Sequence, residues 1–228
     1  MSARAARLSA VPFVLLAFVL RFVESLWLQP LTWRFESDAA GFLAAILMWT
    51  TTLGVPLGIF LLVTRKARKR PVAWDIGATG RRFTAEPAVA GTGVRAVFIG
   101  WLAGGLVPTE RVPGEERKRI AELGSFTTVM TVLAVVFLLV AIWLVVGRWP
   151  WLALDREAVT FRRVFRTTRT PWDDLPADLV DLKIPGPGLH IDPRFLGFSI
   201  HTYQHEPARR EEIGTEAEAT RLALAHQP

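Results

Sequence analysis

Two long uncharged apolar runs constrain this chain more than any other feature. Gly41 to Val63 is 23 residues and Phe126 to Gly147 is 22, neither holding a charge. About 20 apolar residues at the helical rise cross a ~30 Å hydrocarbon core. A chain of 228 residues has too little remaining mass to bury two such helices in a soluble core. Both runs are therefore read as membrane spans. Composition supports segregation of this kind: 51% of residues are apolar, 21% are charged and mean hydropathy is +0.30. A single soluble globule and a disordered chain are both excluded on that ground. Cysteine is absent, which removes disulfides, a thiol nucleophile, Cys-ligated zinc and iron–sulfur clusters from consideration.

Two further runs are less uniform. Leu8 to Leu28 begins with 13 apolar or small residues and then meets Arg21 and Glu24. Those two are three apart, so they share a helix face and can pair, near enough to one end for Arg21 to reach the interface. A cleaved signal peptide is the rival reading, with MSARAAR as its basic start. No small-x-small cleavage site follows the apolar run, which favours an uncleaved span. Ala88 to Val107 carries one charge, Arg95, and several glycines, which membrane helices tolerate. An amphipathic or re-entrant segment is the alternative there.

Charge placement orients the spans. Arg4 and Arg7 precede the first run, and Arg34 lies between the first and second with Glu36 and Asp38. The second run is followed by Arg65, Lys66, Arg68, Lys69 and Arg70. The positive-inside rule puts the N-terminus and residues 64–87 in the cytoplasm. With four spans (8–28, 41–63, 88–107 and 126–147) both ends are inside; with three, the C-terminal part is outside. Arg148, Arg156, Arg162 and Arg163 favour the inside, while Arg111, Arg117, Lys118 and Arg119 pull the other way. The expectation is a four-span protein of the cell (inner) membrane with both ends inside.

Beyond residue 147 the pattern changes. Trp151–Leu154 reads as a short strand, Asp155-Arg156-Glu157 as a turn, and Val159 and Phe161 as the buried side of a second strand. Thr167 to Thr170 is a polar strand ending at Pro171-Trp172. Val180, Leu182 and Ile184 alternate with polar residues, Pro185 to Gly188 break the chain, and Leu189 and Ile191 share a face. Leu196, Phe198 and Ile200 repeat that period. Thr215 stands three before Glu218, a capping box opening a helix through about Ala225, with Leu222 as its apolar contact. The expected fold class is therefore α+β: a multi-pass transmembrane helical region over 1–147, then a small antiparallel sheet over 148–228 with a C-terminal helix.

The stretch Pro150 to Leu175 resembles the opening of bacterial pleckstrin-homology-like (PH-like) domains, which typically follow membrane helices in small actinobacterial proteins. Asp155, Val159 and Arg162 fit the hairpin of that family, and Pro171, Trp172, Asp174 and Leu175 fit its following turn. The resemblance covers residues 148–228. It implies a PH-like β-barrel with a C-terminal helix, and neither an enzyme activity nor a shared ligand.

Candidate chemistry is sparse. His201 and His205 are four apart with Glu206 adjacent, but SIHTYQHEP reads as strand end and loop, so surface histidines are expected and no metal site. His190 and His226 are isolated. Asp173-Asp174 reads as a turn with Trp172 anchored in the core. The glycines at 77, 80, 91 and 93 lack a phosphate-loop context. Gly54 and Gly58, four apart about Pro56, suggest either a kink or a close helix contact. Arg162, Arg163, Arg166 and Arg169 cluster on the hairpins of the C-terminal domain, where an anionic lipid headgroup or an acidic partner could bind, against an ordinary charged surface. The basic cluster after the second run anchors topology and attracts anionic lipid.

The functional expectation is a non-enzymatic, multi-pass membrane protein without cofactor. It presents a PH-like interaction module to a protein partner or to the membrane surface. The alternative is a small transporter or membrane enzyme regulated by that module, suggested by Arg21, Glu24 and Arg95. No aromatic-basic motif suggests nucleic acid. The net charge of +6 supports this division, since residues 148–228 hold 11 basic and 12 acidic residues while 64–87 hold seven and two.

Overall fold

A computed structural model describes residues 3–35, 37–77, 80–111, 118–122, 124–147, 151–162, 166–175 and 188–226. The chain divides into two compact units. One comprises 4–65 and 92–147; the other comprises 66–91 and 148–228 with the first three residues.

The first unit is helical. Helices α1 (Ala3–Leu8) and α2 (Ala10–Val23) run into a π-helical turn, Glu24–Leu28, and a 3-10 turn, Gln29–Arg34. Helix α3 spans Asp38–Val63, α4 Val89–Leu106 and α5 Ser125–Val146. Four helical stretches are long and apolar enough to cross a membrane: Ala3–Thr32, Asp38–Val63, Val89–Leu106 and Ser125–Val146. The run around residues 88–107, ambiguous by composition, is thus one continuous helix.

Its glycines have a packing reason. A Cβ at Gly93 would lie 2.1 Å from the Phe60 ring, at Gly100 2.7 Å from Val14, and at Gly104 2.3 Å from the Phe18 carbonyl oxygen. These positions recur on one side of α4, where small residues let helix backbones approach closely. Trp101 adds a hydrogen bond from its indole N–H to Thr52 Oγ1 at 3.0 Å. Gly54 and Gly58 have nothing within 4 Å of an added Cβ, so the close contact considered for them is not made among the described residues. Between α4 and α5 lies a hairpin of β3 (Thr109–Arg111) and β4 (Lys118–Ile120).

The second unit is built on a five-stranded antiparallel sheet. Its strands are β1 (Asp75–Ile76), β2 (Phe83–Ala85), β5 (Trp151–Leu154), β6 (Ala158–Arg162) and β7 (Thr167–Pro171), in the order β1-β2-β5-β6-β7. Strands β5 to β7 fall where the alternation placed them. The sheet nevertheless reaches beyond 148–228, because β2 pairs with β5 in the register Phe83↔Leu154, Thr84↔Ala153 and Ala85↔Leu152. Two- and three-residue strands inside a basic stretch carry almost no periodic signal of their own. Among the described residues the sheet is open, and no pairing closes it into a barrel.

One expectation fails outright. Leu196, Phe198 and Ile200 lie not on a strand but in helix α6 (Pro193–His205). Asp192 caps it, its Oδ1 accepting from the N–H of Arg194 at 2.8 Å and of Phe195 at 3.1 Å, and Pro193 occupies the first turn. Phe195, Leu196, Ser199, Ile200 and Tyr203 then form the buried stripe, which is helical spacing. Leu196 and Ile200 of the apparent period of two belong to that stripe, and Phe198 packs partly buried at its edge. Helix α7 (Glu216–Ala225) starts as expected, with Thr215 Oγ1 accepting from Glu218 N–H at 3.3 Å and Leu222 fully buried. Together α6 and α7 cover the apolar side of the sheet, joining Phe83, Leu152, Leu154 and Val159 in one core. The expected strand at Val180, Leu182 and Ile184 lies outside the described residues.

Candidate functional site

The arginine patch can be placed by register. Val159 and Phe161 point to the core, so Thr160 and Arg162 occupy the opposite face of β6. Trp151 and Thr167 lie across from Arg162, and Arg169 across from Thr160, so these residues share that outer face. Arg166 is exposed just before β7. Arg163 lies outside the described residues. Arg169 is already engaged: its guanidinium donates to Glu157 at 2.6 Å and stands 3.7 Å from Asp155. The sheet therefore gathers Arg162 and Arg169 beside Trp151, with the Arg169 charge largely offset by its neighbours.

The turn behind this face folds for local reasons. Asp155 Oδ1 accepts from the N–H of Glu157 at 2.9 Å and of Ala158 at 2.8 Å. Trp172 is buried and donates its indole N–H to the Asp155 carbonyl at 2.9 Å, which ties the turn after β7 to the turn before β6. Asp173 and Asp174 are exposed, and Asp173 accepts from Arg210 at 3.4 Å.

A second polar cluster lies inside the helical unit. Arg21 and Glu24 pair as their spacing predicts, but they are buried there rather than held out at its edge: their side chains are 14% and 1% exposed. The Arg21 guanidinium lies 5.1 Å from the Trp49 ring centre and 4.9 Å from that of Trp101, within cation–π range of both. Gly105 leaves room for the same guanidinium. Glu24 opens the π-helical turn, a feature often found at functional sites. One of its oxygens, Oε1, is buried without a hydrogen-bond partner. Nearby, Lys118 on β4 donates to Gln29 Oε1 at 3.0 Å; burial first, and then the Arg21 charge, hold its ammonium below the ordinary lysine value. Trp49, Trp101, Gln29 and Lys118 come from four separate segments, so no local motif could have announced them.

Histidines fall into three settings. His190 N–H donates to the Glu86 carbonyl at 2.7 Å, and burial keeps its ring below the ordinary value despite Asp75 and Glu86 nearby. The His226 ring stands 5.5 Å from Phe195 and from Phe198. His201 and His205 are both exposed on α6, one turn apart, with ring centres 4.0 Å apart. Among the described residues no group of three or more His, Cys, Asp or Glu side chains is arranged to hold a metal ion. Arg95 is exposed on α4 and joins neither cluster.

No family model matches the chain, and neither a curated protein nor a solved structure matches it.

Proposed function

We propose that this chain is a multi-pass membrane protein of the cell (inner) membrane that presents its sheet unit on the cytoplasmic side as a non-enzymatic interaction module. The pairing of β2 with β5 carries the proposal. Two segments in one sheet lie on one side of a bilayer, so the chain between residues 85 and 151 crosses it an even number of times. Helix α5 is an uncharged 22-residue apolar helix, so α4 crosses with it. Arg65, Lys66, Arg68, Lys69 and Arg70 stand at the head of the segment that supplies β1 and β2, which by the positive-inside rule supports the cytoplasmic side. Including residues 66–91, with six basic and two acidic residues, brings the sheet unit to 17 basic against 14 acidic residues. A net +3 beside the inner leaflet suits an anionic headgroup or an acidic partner, met at the Trp151, Arg162 and Arg166 face. The PH-like form of the module belongs to this proposal, supported by the β5-β6-β7 meander, buried Trp172 and helix α7.

The absence of cysteine makes the topology directly testable. Single substitutions V72C, R156C and E122C are labelled in intact cells with a membrane-impermeant maleimide. We expect V72C and R156C to react only after permeabilisation and E122C to react without it. Labelling of R156C in intact cells overturns the assignment. For the interaction face, R162E combined with R166E is expected to lose crosslinks that the wild-type chain forms in cells; an unchanged crosslinking pattern refutes that face.

The unpartnered Glu24 oxygen favours a second reading, a small transporter or membrane enzyme, because a buried ionisable group inside a membrane unit is costly to keep without use. E24Q would then abolish flux while leaving the chain folded. If E24Q alters stability alone, the pair is structural.

A further inference from the structure

The structure reverses the ground for setting His201 and His205 aside. In a strand end and loop the two imidazoles would have no fixed relation. They lie instead on the last turns of α6, a helix of 13 residues, at positions i and i+4. That spacing stacks side chains over one another on one face. Their rings are 4.0 Å apart between centres with planes 24° apart, on the side away from the buried stripe.

The hydrogen bonding also settles which nitrogen is available. His205 Nδ1 lies 2.9 Å from the His201 carbonyl oxygen. A carbonyl only accepts, so Nδ1 is the donor in this contact, and Nε2 is the nitrogen left for a ligand. Donation of one ring N–H to a backbone carbonyl is the arrangement that orients a ligating histidine. Glu206 is not a third ligand, since its carboxylate is held by Arg209.

We propose that His201 and His205 form a two-histidine site for one divalent transition ion of the imidazole-preferring class, such as Zn²⁺, Ni²⁺ or Cu²⁺, with water in the remaining positions. In the stacked arrangement the two rings do not point at one position, so binding requires them to rotate until both nitrogens converge; both side chains are exposed among the described residues. A bound ion would clamp the C-terminal turn of α6, beside the buried Tyr203 that anchors the helix.

The test uses the full chain in detergent, freed of metal with a chelator, and Ni²⁺ or Zn²⁺ alone as the probe. Calorimetric titration is expected to show binding that saturates at one ion per chain. H201A and H205A should each weaken it about tenfold or more, while H226Q leaves it unchanged. Metal should raise the thermal midpoint of the wild type and not of H201A, since an ion that binds only the folded helix stabilises it. With Cu²⁺, electron paramagnetic resonance should report two imidazole nitrogens, falling to one in either variant. Titration without saturation, or saturation unaffected by H201A and H205A, overturns the proposal. Both substitutions are at exposed positions, so far-ultraviolet circular dichroism should match wild type and a loss of binding is not a loss of fold.

Discussion

Glu218 shows how much can rest on one side chain. It is 1% exposed and accepts from Tyr203 Oη at 3.1 Å and from Arg221 Nε and Nη2, both at 2.7 Å. Burial by itself would raise this carboxyl, but the hydrogen bonds and charge of Arg221, with the Tyr203 hydroxyl, outweigh it and hold Glu218 below the ordinary glutamate value. Burial, and then the Glu218 charge, push the Tyr203 hydroxyl up, so it remains a donor. Tyr203 in turn meets Trp172 edge-to-face at 5.6 Å. Glu218→Ala leaves a buried hydroxyl unpaired and should cost about 1–3 kcal/mol of stability, read by urea unfolding of the full chain in detergent. The sign with pH follows from the lowered value. The stabilisation is fully present above the ordinary value near ~4.3 and is lost as pH falls through the lower folded value. Glu218→Gln should remove that part of the acid dependence. An identical acid profile in the variant would refute the role given to this carboxylate. Thr215 and Glu218 were legible in the sequence as a cap; that Glu218 turns away from the cap toward Tyr203 was not, because the partner lies 15 residues away on another helix.

Among the elements, α4 and α6 were the two hardest to read. For α4 the composition favours a span over a re-entrant segment, with glycines that a membrane helix tolerates but whose purpose no local pattern explains. Their use is interhelical: they are the points where α2 and Phe60 come close. Gly104→Ala, whose Cβ would press on a backbone oxygen, should lower the thermal midpoint by an amount corresponding to about 1–3 kcal/mol. Gly54→Ala and Gly58→Ala should leave it unchanged, since open space receives the methyl group. Equal effects at all three positions would argue against the packing described. For α6, alternation of Leu196, Phe198 and Ile200 was real but incomplete evidence. Phe195 and Tyr203 complete a helical stripe, and Asp192-Pro193 marks its start. Asp192→Ala should cost about 1 kcal/mol as a lost N-cap, measurable in the same unfolding series.

For the whole molecule, the division of the chain is what matters. The sheet of the second unit is assembled from two segments separated by α4, β3, β4 and α5, so the α4–α5 stretch is an insertion between its strands. Gly214 marks how the pieces fit. At φ +94° it turns between the 3-10 segment Pro207–Glu212 and α7, and a Cβ there would lie 2.4 Å from Arg82 N. A truncation after residue 147 should therefore strip Phe83 and Ala85 of Leu154 and Leu152 and expose the β1–β2 hairpin. Trypsin should cut rapidly at Arg81 or Arg82 in the truncated chain and slowly in the full one. Equal rates would show that the hairpin does not depend on the C-terminal segment. By the same argument, residues 148–228 expressed alone lack two strands and Trp74, whose indole N–H donates to Ser199 at 3.0 Å.

The sequence by itself determined the apolar helices, the basic segment that follows the second of them, the β5–β7 run and the start of α7. These are signals written in consecutive residues: run length, charge, alternation and caps. Tertiary structure alone decided that residues 75–85 belong to the same sheet as residues 151–171, that α4 is a packed helix, and that Arg21 lies between two tryptophans. It also decided that two histidines face each other on a helix. The physical reason is common to all four. Each depends on a partner supplied from elsewhere in the chain or on a helical period that overrode a shorter one, and neither is visible within a window of a few residues.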